Sequence, residues 1–420
     1  MHGKDIAIAG CGPAGLTAAL LLRRDGHRVT LFERFETARP VGSGLMIQPT
    51  GLAVLAHLGL DAEIAASGAR VDRLFGVSVP SGRPVLDVRY AALGPDAGHG
   101  IGIHRAALFN TLHGAALAEG IPMRTGRAIT ASALEADGRR KLVFADGGQS
   151  EAFDLIVDAL GTMTPLAPPT GRPLPYGAFW ATLDWVDGAG FDITALEQRY
   201  FRSSRMVGVL PIGRPAPGDR PKLAFFWSLR RDRREAWEAA GLDSWKAEVE
   251  ALWPQTAPLL EQITAPEQLT FARYAHRTLR RPAEPGLIHL GDAWHSTSPQ
   301  LGQGANMAML DAYALAAALR RTDDIREAGA RAVALRRTHV RLYQTMSTLF
   351  TPVYQSDGRL LPLARDRLAG PLSNVWPFPA VLAGMVSGLT GRPLRGLGLS
   401  VRPPAPAAAP AHQRTADPVQ

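Results

Sequence analysis

Apolar positions along this chain follow two different periods. Ile6-Ala7-Ile8-Ala9 is a short unbroken apolar run, as a buried strand requires, and residues 16–24 return apolar side chains at helical spacing. Val29-Thr30-Leu31-Phe32 reads as a second strand, so the first stretch predicts a β–α–β unit. Gly286-Leu287-Ile288-His289-Leu290 predicts another buried strand, and residues 307–319 a helix after it. Between these regions the character changes. Residues 178–185, 206–210 and 222–227 alternate as strands of a half-buried sheet do, and 233–253 reads as an amphipathic helix. Residues 325–350 predict a long helix, and 360–399 short helical runs broken by Pro371, Pro377 and Pro379. From Pro403 onward a Pro/Ala-rich tail lacks any apolar period and is expected to be disordered. There is no internal repeat.

The turn between the first strand and helix reads Gly10-Cys11-Gly12-Pro13-Ala14-Gly15. In a β–α–β unit this spacing has a physical purpose. The first glycine permits the tight turn, the second lets the backbone approach a pyrophosphate, and the third lets the helix lie close on the strand. The helix start then offers free N–H groups and a positive dipole end to phosphates. Glu33, eighteen residues after Gly15, sits where a carboxylate accepts hydrogen bonds from an adenosine ribose. An acid there favours a free 2′-hydroxyl over a 2′-phosphate. The motif calls for a dinucleotide without choosing between NAD and FAD. Cys11 reads as a small turn residue.

A second constellation follows the strand at 286–290: Gly291-Asp292, then Ser298-Pro299-Gln300-Leu301-Gly302-Gln303-Gly304-Ala305-Asn306, then the helix. A strand, a carboxylate, a glycine-rich loop and a helix start again describe a site for a polar, phosphate-bearing ligand. Two such sites far apart in sequence predict one extended cofactor held at both ends.

Composition narrows this reading. With 420 residues, 46% apolar and 20% charged, the chain has ordinary globular composition and the length of two or three domains. Its net charge is +8, but the arginines are spread rather than clustered, which argues against nucleic acid. Cys11 is the only cysteine, which excludes an intrachain disulfide and a cysteine-based zinc site, and no metal is expected. The first strand runs directly into the glycine motif without a secretory pattern, and no run of eighteen apolar residues occurs, so a cytoplasmic protein is expected.

Taken in order over residues 4–395, these motifs resemble the class A flavoprotein monooxygenases, the family of para-hydroxybenzoate hydroxylase and the ubiquinone-pathway hydroxylases. The resemblance implies an α/β fold. Residues 1–170 and 270–322 would form a discontinuous Rossmann-like FAD-binding domain. Residues 171–269, with strands from about 70–100, would form an inserted mixed β-sheet substrate domain. A C-terminal helical segment at 323–400 and a tail at 401–420 would follow. It implies FAD held by Gly10, Gly12, Pro13, Ala14, Gly15 and Glu33, with Arg34 and Arg105 as arginines contacting it. Asp292 of Gly291-Asp292 would meet the ribityl hydroxyls. Pro299, Gly302, Gln303, Gly304 and Asn306 would approach the flavin ring, as would Gly44 and Leu45 of the Gly42-Ser43-Gly44-Leu45 loop. The substrate sheet makes Trp180, Tyr200, Phe225, Phe226 and Trp227 candidate pocket walls, with Trp180, Tyr200 and Phe226 preferred. His295, beside this loop, is left unassigned between a structural role and that of a base.

One stretch departs from the family. Where members carry ADGxxSxxR, residues 159–167 keep Gly161 and place Thr164 for the serine, while Leu160 replaces the aspartate and Ala167 the arginine. Asp158, two positions before Leu160, returns to the same strand face. This departure bears on NADH or NADPH as reductant more than on FAD. The resemblance implies hydroxylation of an aromatic or polyketide-like small molecule by O2 through a flavin C4a-hydroperoxide. The alternatives are a same-fold reductase or halogenase, although no WxWxIP motif is present, and a non-catalytic FAD-binding protein. The apolar piece at 381–386, followed by Arg392 and Arg395, reads as core packing or at most a peripheral membrane contact. Oligomeric state is not specified by the sequence.

Overall fold

The computed structural model describes residues 3–38, 43–95, 98–216, 218–369, 373 and 375–401. Gly42, Pro371 and the Pro/Ala-rich tail from 402 lie outside the described residues.

The first strand, β1 (Asp5–Ala9), is the interior of a six-stranded sheet. Helix α1 (Pro13–Arg24) leads from it to β2 (Arg28–Phe32), which lies parallel beside β1 with Ile6 opposite Val29. On the other side of β1 runs Leu155–Asp158, with Ile6 opposite Leu155, and beyond it Leu287–His289. Strands of a parallel sheet are buried on both faces, which is why these segments read as unbroken apolar runs. Helix α1 packs on the helix Gly304–Leu319, and both belong to one large core. Segments nearly the whole chain apart therefore build one layer.

The second sheet has seven strands, in the order Thr270–His276, Arg172–Asp184, Lys222–Arg230, Arg205–Gly213, Ala195–Phe201, Arg73–Ser78, Arg83–Arg89. Successive strand residues point to opposite faces. Phe225 and Trp227 face Trp245 and Val249 of the helix Arg234–Leu252. Phe226 and Met206 face the other way, with Tyr200 and Leu210. Phe225 and Trp227, read from sequence as pocket walls, are therefore core under a helix, because they alternate with Phe226. The helix bends at Gly241, whose φ of 80° is non-helical.

One boundary expected from sequence moves. Thr270–His276 was placed in the FAD segment, but it pairs antiparallel with Arg172–Asp184 as an edge strand of the seven-stranded sheet. A third sheet, Gly44–Ile47, Gly100–His104 and Ala69–Val71, contributes Gly44 and Leu45 as strand residues rather than loop. Gly44 is needed there because a Cβ would come within 2.8 Å of Ile212 and Ala224. The 381–386 piece lies in the helix Phe378–Val386, whose Ala383, Met385 and Val386 are buried.

Candidate cofactor and substrate site

The glycine turn after β1 has little room. A Cβ on Gly15 would fall 1.9 Å from the Gly10 carbonyl oxygen, so only glycine lets α1 start this close to the strand. At Gly12 a Cβ would meet nothing within 4 Å, so this side of the turn is open to a ligand. Glu33 ends β2 beside the turn. Its carboxylate accepts from the Cys11 N–H at 3.2 Å and from the Arg34 and Phe35 N–H groups at 2.8 and 3.2 Å. Arg34 is exposed and lies over the Phe35 ring at 4.7 Å. Cys11 is buried and its thiol is pushed up to about 12 by desolvation and by Glu33, which leaves it inert.

Gly291 adjoins this turn: a Cβ there would lie 3.4 Å from Ala14. Its N–H donates to the buried Asp311 carboxylate at 3.0 Å. Asp311 also accepts from Arg336 Nε at 2.8 Å and pairs with His295 Nε2 at 2.6 Å. His295 thus holds the loop in place rather than facing a substrate.

Asp292, the next residue, opens into a cavity of about 500 Å3. Its side chain is open to the cavity, yet the protein packed around it desolvates the carboxyl and pushes it above the ordinary range; His295 and Arg105 pull it back and Asp311 adds to the rise. Gly304 Cβ would sit 3.9 Å from Asp292 Oδ1, which puts the carboxylate at the start of the helix Gly304–Leu319. Arg105 lines the same cavity from the first turn of Arg105–Ala118 and makes no ion pair with a described residue. Gly44, Leu45, Pro299, Gly302 and Gln303 line it too, as do Trp180, Tyr200 and Phe226.

Gly10, Gly12, Pro13, Ala14, Gly15, Glu33, Arg34, Gly291 and Asn306 do not line this cavity; the first seven lie at the glycine turn beside it. Asn306 is fully buried, with Oδ1 accepting from the Gln48 N–H at 2.8 Å and Nδ2 donating to the Met46 and Gly302 carbonyls. It staples the loop to the strand Gly44–Ile47.

Several wall residues were missed from sequence. Tyr274 accepts from Trp180 Nε1 at 2.9 Å, and burial pushes its hydroxyl up to about 12. Gln355, like Gln303 of the glycine-rich loop already named, carries a buried amide oxygen without a partner among the described residues. Gln198, Tyr354 and Met385 complete the apolar end. Tyr274, Gln198, Gln355, Tyr354 and Met385 come from four separate elements, and no local pattern marks them.

Asp158, which the sequence left open as a stand-in for the missing aspartate of the central motif, does not line the cavity. It is fully buried and accepts from Thr164 Oγ1 at 2.7 Å and the Leu160 N–H at 3.0 Å, and it pairs with His289 Nδ1 at 2.6 Å. Its capacity is spent inside the turn that contains Gly161.

An FAD fits these residues. The open glycine turn, the carboxylate at the end of β2, the unpaired Arg105 and the Asp292 carboxylate at a helix start supply what its adenosine, phosphates and ribityl chain require. The FAD binding domain family matches residues 4–162 and 178–331, and the chain belongs to it. A 3-amino-4-hydroxybenzoate 2-monooxygenase of Streptomyces cremeus is 29% identical over 341 residues, 75% of this chain and 78% of that protein. A 6-methylpretetramide 4-monooxygenase of Streptomyces rimosus is 28% identical over 399 residues, 91% and 92% of the two chains. Klebsiella pneumoniae HpxO complexed with FAD and uric acid has a similar fold, with TM-score 0.77 at 21% identity over 93% of this chain and 98% of that one.

Proposed function

We propose that the protein is an FAD-dependent monooxygenase that places one oxygen atom of O2 on an aromatic or polyketide-like small molecule. The observation that carries this reading is the single cavity that joins Asp292 and Pro299 to an apolar chamber under the seven-stranded sheet. A mostly apolar chamber with a few placed polar groups is what a planar substrate in front of a flavin needs. Bound FAD supplies the oxygen activation.

The side chains supply position and dryness. The turn at Gly10, Gly12, Pro13, Ala14 and Gly15 with Glu33 holds the adenosine end, and Arg34 and Arg105 offset the phosphates. Asp292 would accept from the ribityl hydroxyls. Gly44, Leu45, Pro299, Gly302, Gln303 and Gly304 would border the ring, with Asn306 fixing the loop. Trp180, Phe226 and Tyr200 close on the substrate. The wall has no histidine or lysine among the described residues. Burial raises the Tyr200, Tyr274 and Tyr354 hydroxyls, so each donates a hydrogen bond rather than acting as a base. Tyr274 already accepts from Trp180, which leaves its proton for the substrate. The unpaired Gln355 oxygen accepts from a substrate O–H or N–H.

The experiment is a flavin absorbance spectrum of the purified protein, followed by oxygen uptake with candidate aromatics and mass analysis of product. A gain of one oxygen atom supports the reading. Peroxide release without any oxygenated product, across neutral phenols and polyketide aromatics, would overturn it. The altered central motif favours reduction that is weak, substrate-gated or delivered by another reductant. Stopped-flow mixing with NADH or NADPH checks this; fast flavin reduction without substrate would sink it.

A further inference from the structure

Seven of the thirteen large apolar side chains exposed among the described residues lie between 360 and 381. Leu360, Leu361, Leu363, Trp376, Phe378 and Val381 are all exposed, Trp376 by 84% and Leu360 by 80%. The segment Arg365–Ala369, just after the three leucines, and the helix Phe378–Val386 both pack on Arg83–Arg89. That strand is an edge of the seven-stranded sheet, so both segments lie against the same sheet edge. The same helix turns Leu382, Met385 and Val386 inward to line the cavity. Only one layer of structure separates the patch from the substrate chamber.

The unpaired charges of this region have one sign. Arg359, Arg367, Arg392 and Arg395 are exposed and form no ion pair with a described residue. The only acid between 358 and 401 is Asp366, and its carboxylate is held by Arg365 and Ser78. Exposed leucines, a tryptophan and unpaired arginines without acids are the composition of a surface that meets anionic lipid. Two copies meeting through this face would set the same cations against each other. No described helix is long and apolar enough to cross a bilayer, which leaves docking on its surface.

We infer that the face built from residues 359–367 and 375–381 docks on an anionic lipid bilayer, with Trp376 and the three leucines entering the headgroup layer and the arginines meeting the phosphates. On the reading of the cavity as a substrate chamber, a lipophilic substrate then passes from the bilayer to the flavin across one helix.

The test uses the full-length, flavin-loaded protein and extruded vesicles of phosphatidylcholine alone or mixed with phosphatidylglycerol. Co-sedimentation with the mixed vesicles is expected, reduced by added salt. L360S/W376S lowers the binding constant roughly tenfold or more by removing apolar contact. R359Q and R367Q lower it about fivefold each. The flavin spectrum of every variant stays as in the parent, which shows that the fold is kept. Absence of binding to the mixed vesicles, or equal binding by L360S/W376S, overturns the inference. So does a dimer in gel filtration that L360S/W376S dissociates, because it assigns the face to a second copy. None of these readouts needs turnover, so they stand or fall apart from the monooxygenase reading.

Discussion

Asp292 combines two demands that compete. Its position at a helix start suits a negative charge, while desolvation by the protein packed around it resists one. A ligand that donates hydroxyl hydrogen bonds resolves the conflict in favour of the carboxylate. Asp292→Ala should weaken FAD binding about ten- to a hundredfold, the worth of hydrogen bonds to a charged group; equilibrium titration of the apo-protein by flavin fluorescence measures it. An unchanged dissociation constant would remove Asp292 from the site. Gly15→Ala is the backbone counterpart. The added methyl has no place to go beside the Gly10 carbonyl, so the turn must open. FAD content should fall to near zero, and stability by several kcal/mol as for other overpacked positions, read by thermal melting and by the flavin-to-protein absorbance ratio. Residues such as these were legible in the sequence because a turn's chemistry is local: a glycine, a carboxylate and a helix start announce themselves within a few positions. Tyr274, Gln198 and Gln355 were not, because each acquires its role only when distant strands and the long helix Ile325–Tyr354 close around the cavity.

At the scale of elements, the alternation of strands showed that the central region is a sheet, but it left the choice of face open. Phe225, Phe226 and Trp227 all looked available, and only the helix Arg234–Leu252 lying on one side decided between them. The clamp between Gly304–Leu319 and Ile325–Tyr354 was invisible for a related reason. Asp311 sits in an apolar helical stretch and Arg336 and His339 in a basic one, and their pairing depends on how the two helices cross. Burial would raise the Asp311 carboxyl, but His295 and Arg336 outweigh it and hold it below the usual range. His339 accepts from Arg336 Nη1 at Nδ1 and donates from Nε2 to the Gly388 carbonyl, a geometry that suits the neutral ring. Burial and then Arg336 lower its pKa to about 3. The folded chain therefore leaves this ring unprotonated while the unfolded chain, with a pKa near about 6.5, takes up a proton. The contribution to stability is complete above that value and is lost as pH falls towards 3, at on the order of 1.4 kcal/mol per pH unit. His339→Gln keeps an acceptor for Arg336 and a donor for Gly388. It should match the parent at pH 8 and flatten the decline between about pH 6.5 and 4.5, followed by urea unfolding at stepped pH. Buried His27 and His99 and half-buried His104 and His276 shift the same way, so the comparison is between the two slopes. Equal slopes would mean that His339 titrates freely in the folded state.

For the molecule as a whole, the glycine motifs at opposite ends of the sequence predicted a shared cofactor, and the sheet order gives the mechanical reason. β1 is flanked by β2 from its own β–α–β unit and by Leu155–Asp158, which in turn needs Leu287–His289. Helix α1 buries its apolar side against Gly304–Leu319. A fragment ending at residue 170 keeps the glycine turn and Glu33 but lacks the next strand, that helix and Asp292. Its apolar faces would stay in water, at about 25 cal/mol for each Å2 left unburied. Residues 1–170 expressed alone should therefore aggregate or remain unfolded and bind no FAD. Supplying residues 171–401 in trans should restore both folding and flavin only if the two pieces assemble before either collapses. In the intact chain the same coupling runs the other way. In the proposed site FAD would contact both ends, so at a thousandfold excess over its dissociation constant it should stabilise the whole fold by about 4 kcal/mol. Calorimetry of apo- and FAD-loaded protein should then show one transition moving upward together. Two separate transitions, with only one responding to FAD, would instead mean that the seven-stranded sheet and its helix unfold as an independent unit, and that the cavity between the two sheets is held by the cofactor and not by the chain.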